Sequence, residues 1–108
     1  MKCRVTYNGR RSFPSLAVHK QDRIAFFSKS NRLISIEIGD VMGYTTLQPD
    51  FFTYVGQIRT VYPTREYLSR VRGQNVLVKW IRKNKLRTGD EVELDVVVPF
   101  KQFRLRRI

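Results

Sequence analysis

The sequence predicts one mostly-β domain, a small barrel with one or two short helices, that takes up all of residues 1–108. Apolar and polar residues alternate in several short stretches, most clearly where Val92, Leu94 and Val96 share one face of a strand. Turn residues separate these stretches, and no linker or low-complexity tract interrupts the chain. The length is sufficient for a single core without disulfides or metals.

Four stretches of the first half are predicted to be strands, and these are residues 2–7, 12–18, 23–27 and 34–38. An Asn-Gly pair follows the first strand and a Gly-Asp pair follows the fourth, and both pairs are typical of turns. Residues 19–22 are expected to form a polar turn. Ser28 is a candidate cap for a short helical turn.

The second half is predicted to contain one helix between further strands. A strand is expected over residues 53–61, and a helix over residues 65–72, which Gly73 ends. The apolar run of residues 76–78 is interpreted as the end of another strand, which leads past Trp80 into a basic turn. Residues 91–98 then form the most regular alternating strand of the chain.

The charge balance favours a polyanionic partner. Twenty-one lysines and arginines against nine aspartates and glutamates give a net charge of +12, and the sequence pI is near 10.6. A positive field of this size attracts nucleic acid, while a solubility or thermostability surface, a ribosome-like partner and a membrane surface are the alternatives. The charge is also unevenly placed, because residues 101–108 hold four bases and no acid, whereas residues 90–95 hold four of the nine acids.

The cysteine content and the hydropathy pattern favour an intracellular chain. Cys3 is the only cysteine, so the chain has neither an intrachain disulfide nor a cysteine metal cluster, and we expect a buried, inert thiol in the first strand. No apolar run approaches the roughly 20 residues that span a bilayer. The first residues lack the apolar core of a signal peptide, so a cytoplasmic protein without a membrane partner is expected.

A search for catalytic patterns finds none. His19 is the only histidine, no serine or acid spacing recommends it as a catalytic base, and it is expected to lie in a surface turn. No metal-ligand spacing and no phosphate-binding glycine loop occurs, and the alternating acids of residues 91–95 fit a solvated strand face. The sequence therefore predicts a protein that is not an enzyme and needs no cofactor. An enzyme, or the accessory domain of one, is the alternative, and a deep pocket lined by His19, Asp40 and Asp50 would favour it.

The candidate nucleic-acid-binding residues are the bases of three segments, namely Lys29, Arg32, Arg82, Lys83, Lys85, Arg87, Arg104, Arg106 and Arg107. Bases in protruding turns can pair with phosphates and release counterions. Arginine can also make bidentate contacts with guanine. Trp80 and Phe103 either stack on unpaired bases or belong to the core. The tail is either a binding segment or an edge strand that buries one face.

Two parts of the chain are similar to each other and suggest an internal duplication of about residues 23–41 and 76–92. Residues 24–33 (IAFFSKSNRL) match residues 77–86 (LVKWIRKNKL) in an apolar-aromatic start, a basic polar middle and an Asn-base-Leu end. A Gly-Asp pair follows each segment, at residues 39–40 and 89–90. Chance similarity is the alternative. In both pairs the aspartate is expected to accept hydrogen bonds from backbone amides of its turn.

Residues 80–92 (WIRKNKLRTGDEV) carry a Leu-x-x-Gly-Asp segment between a basic turn and an alternating strand. This pattern resembles the Gly-Asp box of the cradle-loop barrels, a group that includes AbrB-like swapped-hairpin transcription factors and double-psi barrels. It is also similar to the end of the plant pseudobarrel DNA-binding domain, where a Trp and a Leu-x-x-Gly-Asp-x-Val segment have similar spacing. Residues 41–74 depart from both patterns.

The resemblance implies a barrel of the cradle-loop or pseudobarrel type, and a DNA-binding protein with a role in transcription regulation. It is also the reason for which DNA is preferred over RNA. AbrB-like proteins dimerise, which implies a homodimer, although two copies of the unit in one chain would close the barrel without a partner. The alternative expectation is a protein-interaction module that binds an acidic partner in a larger assembly.

Overall fold

The computed structural model describes residues 1–7, 13–27, 33–49, 56–64 and 75–108. Within these residues the elements, in chain order, are β1 (Lys2–Tyr7), β2 (Pro14–Val18), α1 (Lys20–Phe26), β3 (Leu33–Ile38), β4 (Val41–Thr46), β5 (Gln48–Pro49), β6 (Gly56–Ile58), β7 (Tyr62–Pro63), α2 (Val76–Lys83), β8 (Glu91–Val98) and β9 (Gln102–Arg107). The chain is thus mostly β with two short helices in the part described, and the predicted fold class is confirmed.

All the described strands form one sheet in the order β5-β6-β2-β1-β8-β9-β3-β4-β7. Neighbouring strands are antiparallel except β3 and β9, which pair in parallel from Ser35 opposite Gln102 to Ile38 opposite Leu105. The sheet is curled into a half-barrel. This curl brings β9, the last strand of the chain, between β8 and β3 in the middle of the sheet.

The connection from β6 to β7 draws the two ends of the sheet together. β6 pairs with β2 and β7 pairs with β4, yet only residues 59–61 separate them. A connection of that length spans at most about 14 Å. The side chain of Asn75 braces it, because its Oδ1 accepts a hydrogen bond from the Val61 amide and its Nδ2 donates to the Arg59 carbonyl, both at 3.0 Å.

Helix α2 lies inside the curl and fills it. Its residues Val76, Leu77, Val78 and Ile81 are buried, and most of this apolar face joins the core formed by the inner faces of the strands. α2 packs against β2 and β3. Burial of this face holds an eight-residue helix that would be marginal by itself in water.

The expectation of a strand end at residues 76–78 is wrong, because these residues begin α2. The apolar pair Val76-Leu77 is followed four positions later by the apolar pair Trp80-Ile81, which is helical spacing. Lys79 lies on the exposed side of the helix. A β-branched apolar run therefore forms a helix because the concave face of the sheet buries one stripe of it.

The strand predicted over residues 23–27 is also wrong, since the chain forms α1 there. His19, expected in a turn, is the N-cap of this helix, and its Nδ1 accepts a hydrogen bond from the Gln21 amide at 3.2 Å. Phe27 follows the helix, and its ring stacks on Phe103 with centroids 4.6 Å apart. The apolar pair of residues 26–27 thus docks the end of a helix on the core.

The strands predicted over residues 2–7, 34–38 and 91–98 are confirmed, and the second strand is confirmed from Pro14 onwards. Of the strand predicted over residues 53–61, the described part contains only β6. The Asn-Gly turn after β1, the helical turn after Ser28 and the helix over residues 65–72 fall outside the described residues. In the part described, no helix has the length and apolar character needed to cross a membrane.

Both Gly-Asp pairs form turns whose glycine has positive φ, +62° at Gly39 and +94° at Gly89. The carboxylate of Asp90 accepts a hydrogen bond from the Arg87 amide at 2.6 Å, as expected for a turn-forming aspartate. In the first half of the chain the strand β3 lies between α1 and the Gly-Asp pair of residues 39–40. In the second half irregular backbone lies between α2 and the Gly-Asp pair of residues 89–90. The internal duplication itself stays a prediction.

Candidate nucleic-acid interface

The outward face of the sheet pairs its bases with acids. On β9, Arg104 Nε lies 2.9 Å from Glu37 Oε2 on β3, and Arg106 Nε lies 2.7 Å from Asp95 Oδ2 on β8. The hydrogen bond from Arg106 lowers the pKa of Asp95 below its usual value, and the same bond raises the pKa of Arg106. These two arginines therefore already have anionic partners.

The other side of β8 shows the same arrangement. The terminal amine of Met1 lies 3.1 Å from Glu93 Oε1, and Lys2 Nζ lies 4.0 Å from Glu91 Oε2. Columns of bases on β1 and β9 thus flank a column of acids on β8. Opposite charges on adjacent strands support the sheet and cancel much of its field.

A different environment surrounds the basic turn, by which we mean Arg82, Lys83, Lys85 and Arg87. The first two occupy the last turn of α2, and the other two lie in the connection to β8; all four side chains are exposed. No carboxylate among the described residues lies within ion-pair distance of their side chains. Cations at the end of a helix also interact favourably with its dipole.

The backbone of this connection is fixed on β1. The Gly89 amide donates to the Val5 carbonyl, and the Val5 amide donates to the Asp90 carbonyl, both at 2.8 Å. The Tyr7 hydroxyl donates to the Leu86 carbonyl at 3.3 Å. The backbone that follows the basic turn is therefore held in place by the sheet before any ligand arrives.

An exposed aromatic side chain lies beside the basic turn. Phe13, directly before β2, is 68% exposed, and the Arg82 guanidinium carbon lies over its ring, 5.7 Å from the centroid. That separation is within the range of a cation–π interaction. The sequence analysis did not single out Phe13, although it is a large apolar residue between the basic pair of residues 10–11 and Pro14.

The chain belongs to the DUF7112 family. The model of this family, which is described as a family of unknown function, matches residues 1–108. No curated protein and no solved structure matches the chain.

In this DUF7112 protein the predicted site residues divide into two groups. The basic turn forms one group, and Arg107 lies at the same end of the sheet because it pairs in register with Val92 near the start of β8. Arg104 and Arg106 belong to the ion-paired outer face instead. Lys29 and Arg32 lie outside the described residues.

The two aromatic residues that the sequence left open are both associated with the core. Phe103 is fully buried, and its ring stacks on another core ring, so it cannot also stack on a base. Trp80 is half-buried and packs against the core. The tail is not an edge strand, since β9 has hydrogen-bonded neighbours on both sides.

An open cleft of about 480 Å³ lies where β1, the end of β2 and the start of α1 meet. Lys2, Arg4, His19, Asp22 and Glu91 contribute to its lining, so the cleft carries both signs of charge. Beneath it, burial raises the pKa of the Cys3 thiol to about 12, which keeps the thiol protonated and inert. Among the described residues, no group of three or more His, Cys, Asp or Glu side chains could hold a metal ion.

Proposed function

We propose that this DUF7112 protein binds nucleic acid, with DNA preferred over RNA, by docking the basic turn on phosphates. The observation that carries the proposal is the separation of its charges. Carboxylates pair with Arg104 and Arg106 on the outward face of the sheet. The four exposed side chains of the basic turn have no carboxylate partner among the described residues, and the connection that carries two of them is held by β1. The preference for DNA, and a role in transcription regulation, rest only on the resemblance of residues 80–92 to the Gly-Asp box.

In this mechanism each cation of the basic turn displaces counterions from the backbone of the nucleic acid. Lys83 and Lys85 act as point charges, and Arg82 and Arg87 can make bidentate contacts with phosphate or with guanine. Arg107 adds a fifth cation at the same end of the sheet. Because the backbone of the connection is fixed, the entropy lost when the cations engage is mainly that of their side chains.

Salt dependence tests the proposal. Four phosphate contacts give a log-log slope of affinity against salt of about −3.6 on duplex DNA and about −2.8 on a single strand. Affinity for the duplex then falls about 150-fold between 50 and 200 mM salt. Fluorescence anisotropy with duplex DNA, single-stranded DNA and RNA measures these slopes, and an affinity that salt leaves unchanged rejects the proposal.

A protein-interaction module that binds an acidic partner is the second candidate. The tip of the β8–β9 hairpin favours it, because Val97, Val98 and Phe100 are exposed there and phosphate docking makes no use of them. Pull-downs with and without nuclease separate the two functions. Partners that remain after digestion support the protein-interaction module, whereas partners lost on digestion were bridged by nucleic acid.

A further inference from the structure

We propose that the basic turn takes up unpaired nucleotides and that Phe13 is the side chain on which a base stacks. This inference rests on the proposed function and specifies its substrate class. The chemistry recognised is the planar face of an unpaired base next to its phosphate, which single-stranded DNA and RNA share.

The first argument is the position of Phe13. A phenylalanine that is 68% exposed forgoes much of the stabilisation that its burial would contribute. Its neighbours include a long basic side chain whose guanidinium lies over the ring. The ring therefore lies in a positive field, at the place where a phosphate backbone would dock.

The second argument is the geometry of the ring. Arg82 lies over the ring on one side, and the exposure of the side chain leaves open surface for a second planar group. A base stacked there would lie next to the Arg82 guanidinium, which could pair with one of its phosphates. Aromatic side chains next to basic ones are the usual means of holding single strands, and each stacked base contributes about 1–3 kcal/mol.

The third argument concerns the duplex. In a base-paired helix both faces of every base are already stacked, so Phe13 could meet only sugars, phosphates or groove edges. The basic turn would still bind the duplex through phosphates, but the exposed ring would contribute little. An unpaired strand engages both kinds of group, which makes it the better ligand of the pair.

The test compares oligonucleotides that differ only in their bases. A 12-nucleotide oligothymidylate and an abasic strand of equal length carry the same phosphates, so the ratio of their affinities isolates base stacking. We expect the wild type to bind the oligothymidylate about 5- to 150-fold more tightly, the range that one stacked base gives. Phe13→Ala is expected to lose this ratio while its affinity for the abasic strand stays unchanged, and Phe13→Trp is expected to keep the ratio.

Phe100→Ala is the matched control. Phe100 is a half-exposed phenylalanine in the β8–β9 hairpin, at the opposite end of β8 from the basic turn. Its removal is expected to leave the ratio unchanged. Oligouridylate is run beside oligothymidylate, and a loss with Phe13→Ala on both strands shows that the base rather than the sugar is recognised.

The outcomes separate this inference from the proposed function. Equal affinity of the wild type for the base-bearing and abasic strands overturns the role of Phe13, although salt-dependent binding of both leaves phosphate docking intact. An equal loss of affinity with Phe13→Ala for a 12-base-pair duplex and for the single strand also overturns the inference. Absence of salt-dependent binding to every strand overturns both proposals. A circular-dichroism melt shows whether each variant is folded, and Phe13→Trp provides the test if Phe13→Ala is not.

Discussion

The basic turn and strand β9 hold similar numbers of exposed cations, yet they differ in what lies beside those cations. On β9 the alternation of the strand places Arg104 opposite both Asp95 and Glu37, and places Arg106 opposite Glu93. At the end of α2 no described strand presents a carboxylate within ion-pair distance of the exposed side chains. Net charge alone therefore does not distinguish the two regions, whereas the register of the neighbouring acids does.

The two regions also differ in what their other faces do. β9 lies in the middle of the sheet and contributes Phe103 and Leu105 to the core, so its outward arginines cover a structural strand. The basic turn lies where α2 leaves the core, and its bases point away from it. Each region can therefore be changed with a different expected consequence.

The largest effect is expected from Phe103→Ala in β9. Its ring is fully buried and stacked on Phe27, so we expect the free energy of unfolding to fall by about 3–5 kcal/mol. Urea unfolding measures this loss. Phe100→Ala, in the hairpin before β9 and half-exposed, is expected to cost less than about 1 kcal/mol. Similar losses in the two variants would contradict a structural role specific to β9.

The next effect sharpens the comparison directly. We expect Arg82→Gln combined with Lys83→Gln to weaken nucleic-acid binding about 60-fold at 0.1 M salt, because each lost phosphate contact costs about eightfold. The salt slope on duplex DNA should fall by about 1.8. Anisotropy titrations at several salt concentrations measure both quantities.

Arg104→Gln combined with Arg106→Gln is the charge-matched control, since it also lowers the net charge of +12 by two. We expect less than about a threefold loss of affinity, because arginines already paired with carboxylates release few counterions. Equal losses in the two double variants would mean that total charge, and not the basic turn, governs binding.

The sequence predicts the strands of this fold well where alternation is regular, as in β1, β3 and β8. It fails at both helices, for different physical reasons. Residues 76–78 are β-branched or leucine, and only the concave sheet decides that their helical stripe is buried. α1 has no buried residue within it, so its apolar residues follow neither a helical nor a strand period. Its N-cap is also a histidine rather than a common capping residue.

The candidate site is predictable in its residues but not in their partners. A run of bases around residues 82–87 is visible in the sequence, whereas the pairing of β9 with β3 joins residues that are 67 positions apart in the chain and leaves no local trace. That long-range register contributes to the ion pairs of Arg104 and Arg106 with carboxylates of neighbouring strands. Phe13 was missed because its exposure depends on where β2 begins.

The smallest effect concerns the ion pair between Arg106 and Asp95. The pKa of Asp95 in the folded state lies below its usual value. The pair therefore contributes stability that is present above about pH 3.9, the unfolded pKa, and is lost as the pH falls through the folded pKa. Both side chains are largely in water, so we expect Asp95→Asn to lower the free energy of unfolding at pH 7 by at most about 0.5 kcal/mol. The difference from the wild type should vanish in the most acidic samples, as measured by urea unfolding across the pH range.

Glu91→Gln is the matched control on the same strand face, and its partner at 4.0 Å predicts a smaller change. A difference for Asp95→Asn that persists at the lowest pH would show that the carboxylate stabilises the sheet by packing or as a neutral hydrogen-bonding group. The contrast between the ion-paired arginines of β9 and the arginines of the basic turn would then lose its electrostatic basis.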